Sequence, residues 1–167
     1  VLKENLGYYL DLYNTWSSYG VESEGVLVAF ASIHGNTRKA AEKIASILEK
    51  QGAKKVVVSD LSRDDEAEVI EDAFRYGRMI VAAPTYDGGL FPPMESFLSH
   101  LKSKNYQKRT VGIIENGTWA PMSGKLMKAA LESMKEIKIC DTVVTIKSAL
   151  KAEQEDSLVA LAKEVLA

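Results

Sequence analysis

The 167-residue sequence predicts an α/β domain built on a doubly wound, five-stranded parallel sheet. Three observations predict it. Apolar runs alternate with segments of helical period along most of the chain. The runs are apolar at consecutive positions, as expected of strands covered by helices on both faces. The first run, Val26 to Ala31, passes directly into a polar hexapeptide, Ser32-Ile33-His34-Gly35-Asn36-Thr37, from which a helical pattern begins.

The elements follow in order. Leu2, Leu6, Tyr9, Leu10, Tyr13 and Trp16 recur at spacings of three and four, which predicts an amphipathic helix over 2–16. A polar linker, Ser17 to Gly25, separates it from the first strand, 26–31. The next helix, Asn36 to Gln51, buries Ala40, Ala41, Ile44, Ile47 and Leu48 and stops at Gly52. Val56 to Val58 is the second strand, and Asp64 is the expected cap of a helix carrying Val69, Ile70, Ala73 and Phe74. Met79 to Ala83 is the third strand. Pro92-Pro93 opens a helix with Met94, Phe97, Leu98 and Leu101, because proline suits the first turn. Thr110 to Ile114 is the fourth strand, followed by a helix through Leu126, Met127, Leu131 and Met134. Lys138 to Ile146 is the fifth, and the last helix carries Leu158, Leu161, Ala162 and Val165. Crossovers in such a sheet are right-handed.

Composition excludes several functions. The net charge of −2 lacks the basic excess of a nucleic-acid footprint. Cys140 is the one cysteine, so neither an internal disulfide nor a cysteine metal cluster can form. It sits in a strand-like run and reads as a buried small hydrophobe. The two histidines, His34 and His100, are not ligand-spaced. No apolar stretch has membrane-spanning length, and residues 1–16 do not resemble a signal peptide, so a cytoplasmic setting is expected. The chain starts at Val1 rather than Met and is read as a fragment or processed form, with residues 25–167 the sheet domain and residues 1–24 a helix and linker that either fold back on it or end an upstream domain.

Ligands bind such sheets at the carboxyl ends of the strands, so three loops matter. The first is Ser32 to Thr37. A helix's first turn leaves N–H groups unpaired at a positive dipole end; hydroxyl and amide donors from Ser32, Asn36 and Thr37, with Gly35 for close approach, suit an anion. A plain helix cap is the other reading. Neither common nucleotide signature is present: only Gly35 of a Gly-x-Gly-x-x-Gly fingerprint is found, and Ser123-Gly124-Lys125-Leu126 lacks the hydroxyl and first glycine of a P-loop. Asp60, after the second strand, reads as a turn residue. Arg38 and Lys39 follow the loop and are expected to face solvent. The second loop, Pro84-Thr85-Tyr86-Asp87-Gly88-Gly89-Leu90-Phe91, offers glycines and aromatics against which a flat ring could lie. The third, Asn116-Gly117-Thr118-Trp119-Ala120-Pro121, carries a tryptophan suited either to stacking on a ring or to covering the core edge.

These residues resemble the flavodoxin family, whose phosphate loop ends in Gly-Asn-Thr, as Gly35-Asn36-Thr37 does here. The closer resemblance is to the flavodoxin-like domain of A-type flavoproteins, the flavodiiron proteins. It is carried by Ser32-Ile33-His34-Gly35-Asn36-Thr37, Pro84-Thr85-Tyr86, Leu90-Phe91-Pro92-Pro93 and the Tyr13-Asn14-Thr15-Trp16 segment, which resembles the end of a metallo-β-lactamase-like diiron domain. The third loop departs from the Gly-Ser-Tyr-Gly-Trp form of many members. The resemblance implies strand order 2-1-3-4-5 in the short-chain form, and FMN as cofactor. It implies the FMN phosphate at Ser32, His34, Gly35, Asn36 and Thr37, and the ring at Pro84, Thr85, Tyr86, Asp87, Gly88, Gly89, Asn116, Gly117, Thr118 and Trp119, with Tyr86 and Trp119 as stacking candidates. It further implies electron transfer from rubredoxin or a flavin/NADH reductase to the diiron domain, in a possible homodimer, with no step at a protein acid, base or nucleophile. The alternatives are a free-standing flavodoxin-like carrier, an NAD(P)H:quinone oxidoreductase of the same fold, a phosphoacceptor domain, which would need acids where Ala31-Ser32 and Pro84-Thr85 stand, and a cofactor-free interaction module.

Overall fold

The computed structural model describes residues 4–167. Leu2 and the reading of Val1 lie outside them. The element order is α1 (Leu6–Ser17), β1 (Ser23–Phe30), α2 (Asn36–Lys50), β2 (Val56–Asp60), α3 (Glu66–Arg75), β3 (Tyr76–Tyr86), β4 (Gly89–Leu90), α4 (Pro92–Ser103), β5 (Arg109–Asn116), α5 (Ser123–Glu132), β6 (Ile137–Ile146) and α6 (Glu155–Leu166).

Five long strands lie parallel in the order β2-β1-β3-β5-β6, and the two-residue β4 pairs antiparallel with the end of β3. Counting the long strands alone, this is the expected 2-1-3-4-5. The continuous apolar run of β1 is explained by its neighbours. Val26, Val28 and Phe30 face a core shared with Ile44 and Leu48 of α2 and Leu158 and Leu161 of α6. Leu27 and Ala29 face the opposite core, with Val69 of α3, Phe97 of α4 and Met127 of α5. Side chains alternate along a strand, so a strand covered on both faces is apolar at every position.

Two local expectations are corrected. Asp64 does not cap α3, because its carboxylate accepts the Asp60 N–H at 2.7 Å in the preceding turn. Asp65 is the cap, accepting from Ala67 N at 2.9 Å. The third strand also starts earlier than Met79: α3 runs straight into β3 at Tyr76, which is buried.

The linker after α1 is docked on the domain. Arg109, 3% exposed at the start of β5, donates to the carbonyls of Tyr76 (2.8 Å) and Phe74 (2.7 Å) and to those of Tyr19 (2.7 Å) and Gly20 (3.0 Å) in the linker. Burial pulls its pKa down from the ordinary value. The neighbouring Tyr106 hydroxyl is buried without a hydrogen-bond partner among the described residues, and burial drives its pKa upward. By contrast α1 buries none of its residues: Leu6, Tyr9, Leu10, Tyr13 and Trp16 form an uncovered stripe. No helix among the described residues is long and apolar enough to cross a membrane.

Candidate functional site

At the carboxyl ends of β1, β3 and β5 lies a cleft of about 390 Å³, walled by four loops. β1 and β3 flank the point where strand order reverses, where this topology opens a crevice.

The first wall is the β1–α2 loop. Ser32 Oγ accepts the Gly35 N–H at 3.0 Å, which folds the loop back on itself. Gly35 takes φ 85° as the cap of α2, a left-handed conformation that side chains disfavour, and the space around it is open. Lys39 N–H bonds Gly35 O, whereas the N–H groups of Asn36, Thr37 and Arg38 find no acceptor among the described residues. They are the unpaired first-turn donors of a helix. Ser32, His34, Asn36 and Thr37 line the cleft, as does Ile33, whose part was not anticipated because only polar residues of the hexapeptide carried a signal. Gly35 shapes the loop without lining the cleft.

Neither neighbouring cation serves this loop. Lys39 is exposed, as expected. Arg38 is half-exposed and turned to one side, where its guanidinium bonds Asp60 at 2.6 Å and lies over the Phe30 ring. Asp60 pairs with Arg63 as well, at 2.6 Å, and accepts the Ser62 N–H at 3.0 Å as a turn residue does. The donors at the loop are therefore neutral.

The second wall is a hairpin rather than an open loop. Thr85 pairs with Leu90 and Tyr86 with Gly89, around Asp87 (φ 49°) and Gly88 (φ 72°). Two left-handed residues in a two-residue loop make a type I′ turn, for which Asp-Gly is a leading sequence, so the signal was present in residues 87–88. Pro84, Thr85, Asp87 and Gly88 line the cleft; Tyr86 and Gly89 do not. Tyr86 instead packs on Phe91, with ring centroids 5.6 Å apart. Thr85 Oγ1 accepts the N–H groups of Met122 (2.8 Å) and Ser123 (3.0 Å), tying the hairpin to the start of α5.

The third wall is the β5–α5 loop, with Asn116, Gly117, Thr118 and Trp119 in the lining. Gly117 is pressed between Pro121 and Thr85, where an added Cβ would meet Pro121 Cβ at 3.0 Å. Trp119 does not cover the core edge: it is 90% exposed. Asn116 is 7% exposed, and its amide bonds Ser148, in the loop after β6. Ser148 makes the fourth wall. Sequence reasoning missed it, because Lys147-Ser148-Ala149 carries no turn or ligand signature.

A parallel sheet covered by helices on both faces, with a neutral-donor cleft at its switch point, defines a doubly wound α/β domain whose crevice lies where this topology opens one. Residues 27–154 match the model of the family described as flavodoxin domain, and the chain belongs to that family. A curated relative, an oxidase of reduced coenzyme F420 from Methanothermobacter marburgensis, is 29% identical over 99 residues, covering 59% of this chain and 24% of the relative. The solved rubredoxin oxygen:oxidoreductase of Desulfovibrio gigas superposes with a TM-score of 0.88 at 19% identity, over 95% of this chain and 39% of that one. The flavodiiron protein of Giardia intestinalis gives 0.87 at 18% identity, over 98% of this chain and 41% of that one. The chain thus spans about a quarter to two fifths of these relatives. Its likeness to them, within the flavodoxin domain family, supports a flavin-binding redox role.

Proposed function

We propose that the cleft binds FMN and that the chain is the electron-transfer domain of a flavodiiron-type reductase. One observation carries this reading: a single cleft combines a helix start with free neutral N–H donors and an uncovered tryptophan. The first suits a phosphate dianion, and the second suits a flat ring. The residues fit the group, since Gly35 leaves open space at the loop and the one carboxylate in the cleft lining, Asp87, stands on the hairpin wall rather than in the β1–α2 loop. Ser32, His34, Asn36 and Thr37 would hold the phosphate. Pro84, Thr85, Gly88 and Trp119 would hold the ring. The bound flavin would supply one- and two-electron redox chemistry, and the protein would supply position and electrostatics.

Rubredoxin or a flavin reductase is the proposed donor, in line with the name of the Desulfovibrio gigas relative. A diiron domain preceding α1 is the proposed acceptor, and the uncovered stripe of α1 supports a covering domain there. No group of three or more potential metal ligands occurs among the described residues.

The test is titration of the purified chain with FMN and with riboflavin, followed by absorbance and flavin fluorescence. FMN should bind at 1:1 and more tightly than riboflavin. A chain that stays colourless after incubation with FMN and removal of free ligand overturns the reading.

A further inference from the structure

We infer that Asn116 is a positioning residue, which uses Ser148 to brace the phosphate-binding turn rather than contacting the ring itself. The inference deepens the FMN reading and rests on it.

The side-chain amide of Asn116 is occupied inside the protein. Its Oδ1 accepts the Ser148 N–H at 3.1 Å, and its Nδ2 donates to Ser148 O at 3.0 Å. The amide thus pairs with one residue of another loop as a strand would. The other Nδ2 hydrogen points to Thr37 Oγ1, at 3.4 Å. Both donors of the amide are therefore spent. Ser148 is held at φ 70°, a left-handed conformation disfavoured for a residue with a side chain. The two bonds from Asn116 stabilise it there. In that position Ser148 Oγ lies 3.4 Å from Asn36 Nδ2, on the first turn of α2. A residue 112 positions away along the chain thereby meets the phosphate loop.

The consequence falls on Thr37, which is 2% exposed. Its hydroxyl oxygen receives the Asn116 amide, so its proton is left to donate elsewhere, and the cleft is the open direction. Asn116 and Ser148 therefore set the donor geometry for the phosphate and leave the ring untouched.

The test compares wild type with Asn116→Leu and with Ser148→Val. Leucine keeps the volume and removes the amide. A β-branched residue at 148 cannot hold φ 70° without strain, yet it sits in an exposed loop and keeps Asn116 intact. Each variant should weaken FMN about tenfold, the loss expected for about one ordered hydrogen-bond set to a charged group. Riboflavin affinity and the visible spectrum of the bound flavin should not change. Without ligand, amide hydrogen exchange in 147–151 should quicken in Asn116→Leu. Equal losses for FMN and riboflavin, or a shifted spectrum, would place Asn116 at the ring and overturn the inference while the FMN reading stands. Unchanged FMN affinity in Ser148→Val overturns it too, even if Asn116→Leu fails to fold. Wild type that binds no FMN removes both readings.

Discussion

Trp119→Ala separates a ligand-facing aromatic from a structural one. Trp119 is 90% exposed, so it contributes almost nothing to the packing of the domain. Its removal should leave the urea midpoint within the ~0.5 kcal/mol typical of surface substitutions. Ligand binding is different. A ring system lying on one indole face removes on the order of 100 Å² of apolar surface from water, worth about 2.5 kcal/mol at 25 cal/mol per Å². Stacking of nucleic-acid bases on aromatic side chains gives a similar range, ~1–3 kcal/mol. A loss of about 2 kcal/mol is a Kd increase of roughly 30-fold. FMN and riboflavin share the ring, so both should weaken by the same factor, the opposite of the pattern expected at Asn116. Trp119→Phe should recover most of it. The assay is fluorescence titration of both flavins, with urea unfolding in parallel. Unchanged affinity for both ligands would refute a stacking role. A large loss of protein stability would show that Trp119 packs against the protein after all.

Two further outcomes concern the scaffold. Arg109→Met should destabilise the domain by about 3 kcal/mol or more, because buried carbonyls of Tyr76 and Phe74 lose their donor and the linker carbonyls of Tyr19 and Gly20 are released; a urea midpoint equal to wild type would refute the anchoring role. Cys140 is 6% exposed, and burial, reinforced by Glu164, pushes its thiol up to about 11. The native thiol should therefore resist a disulfide reagent at pH 8 and react on unfolding. Because the folded pKa is the raised one, its contribution to stability is complete below the free-thiol pKa of about 8.5 and is lost as pH rises through about 11. A native chain that reacts at the unfolded rate contradicts this.

Much of this arrangement was legible in the sequence, for identifiable reasons. The sheet was readable because each strand is covered on both faces, which makes consecutive positions apolar. The first-turn site was readable because glycine, amide and hydroxyl stand together between a strand and a helix. What was missed depends on contacts distant in sequence. Arg109 looks like the charged edge of a strand, and nothing local foretells six carbonyl acceptors drawn partly from a linker some 90 positions earlier. Ser148 has no local signature, since its conformation is imposed by Asn116. Tyr86, a stacking candidate in the sequence, packs on Phe91 while its neighbour Thr85 lines the cleft, because consecutive residues of a strand point to opposite faces.

The internal bonds of the cleft also define the ligand it suits. Ser32 Oγ is taken up by Gly35, the Asn116 amide by Ser148 and Thr37, and the Thr85 oxygen by two backbone N–H groups. Each of these bonds fills an acceptor or spends a donor of the wall. On the β1–α2 loop and at Thr85, what stays open is the hydroxyl protons of Ser32, Thr37 and Thr85 and the unpaired N–H groups at the start of α2, all of which donate, while the Asp87 carboxylate on the hairpin adds an acceptor to the lining. A matching ligand must bring acceptors, an anionic group for the helix end and a carbonyl or ring nitrogen for Thr85, together with a flat apolar face for Trp119. Arg38, one of the two cations adjacent to the loop, is held by Asp60, which leaves the first-turn N–H groups and hydroxyls as the donors facing an anion there. A phosphate joined to a carbonyl-rich aromatic ring meets all three conditions, whereas a simple anion leaves Thr85 and Trp119 without a partner.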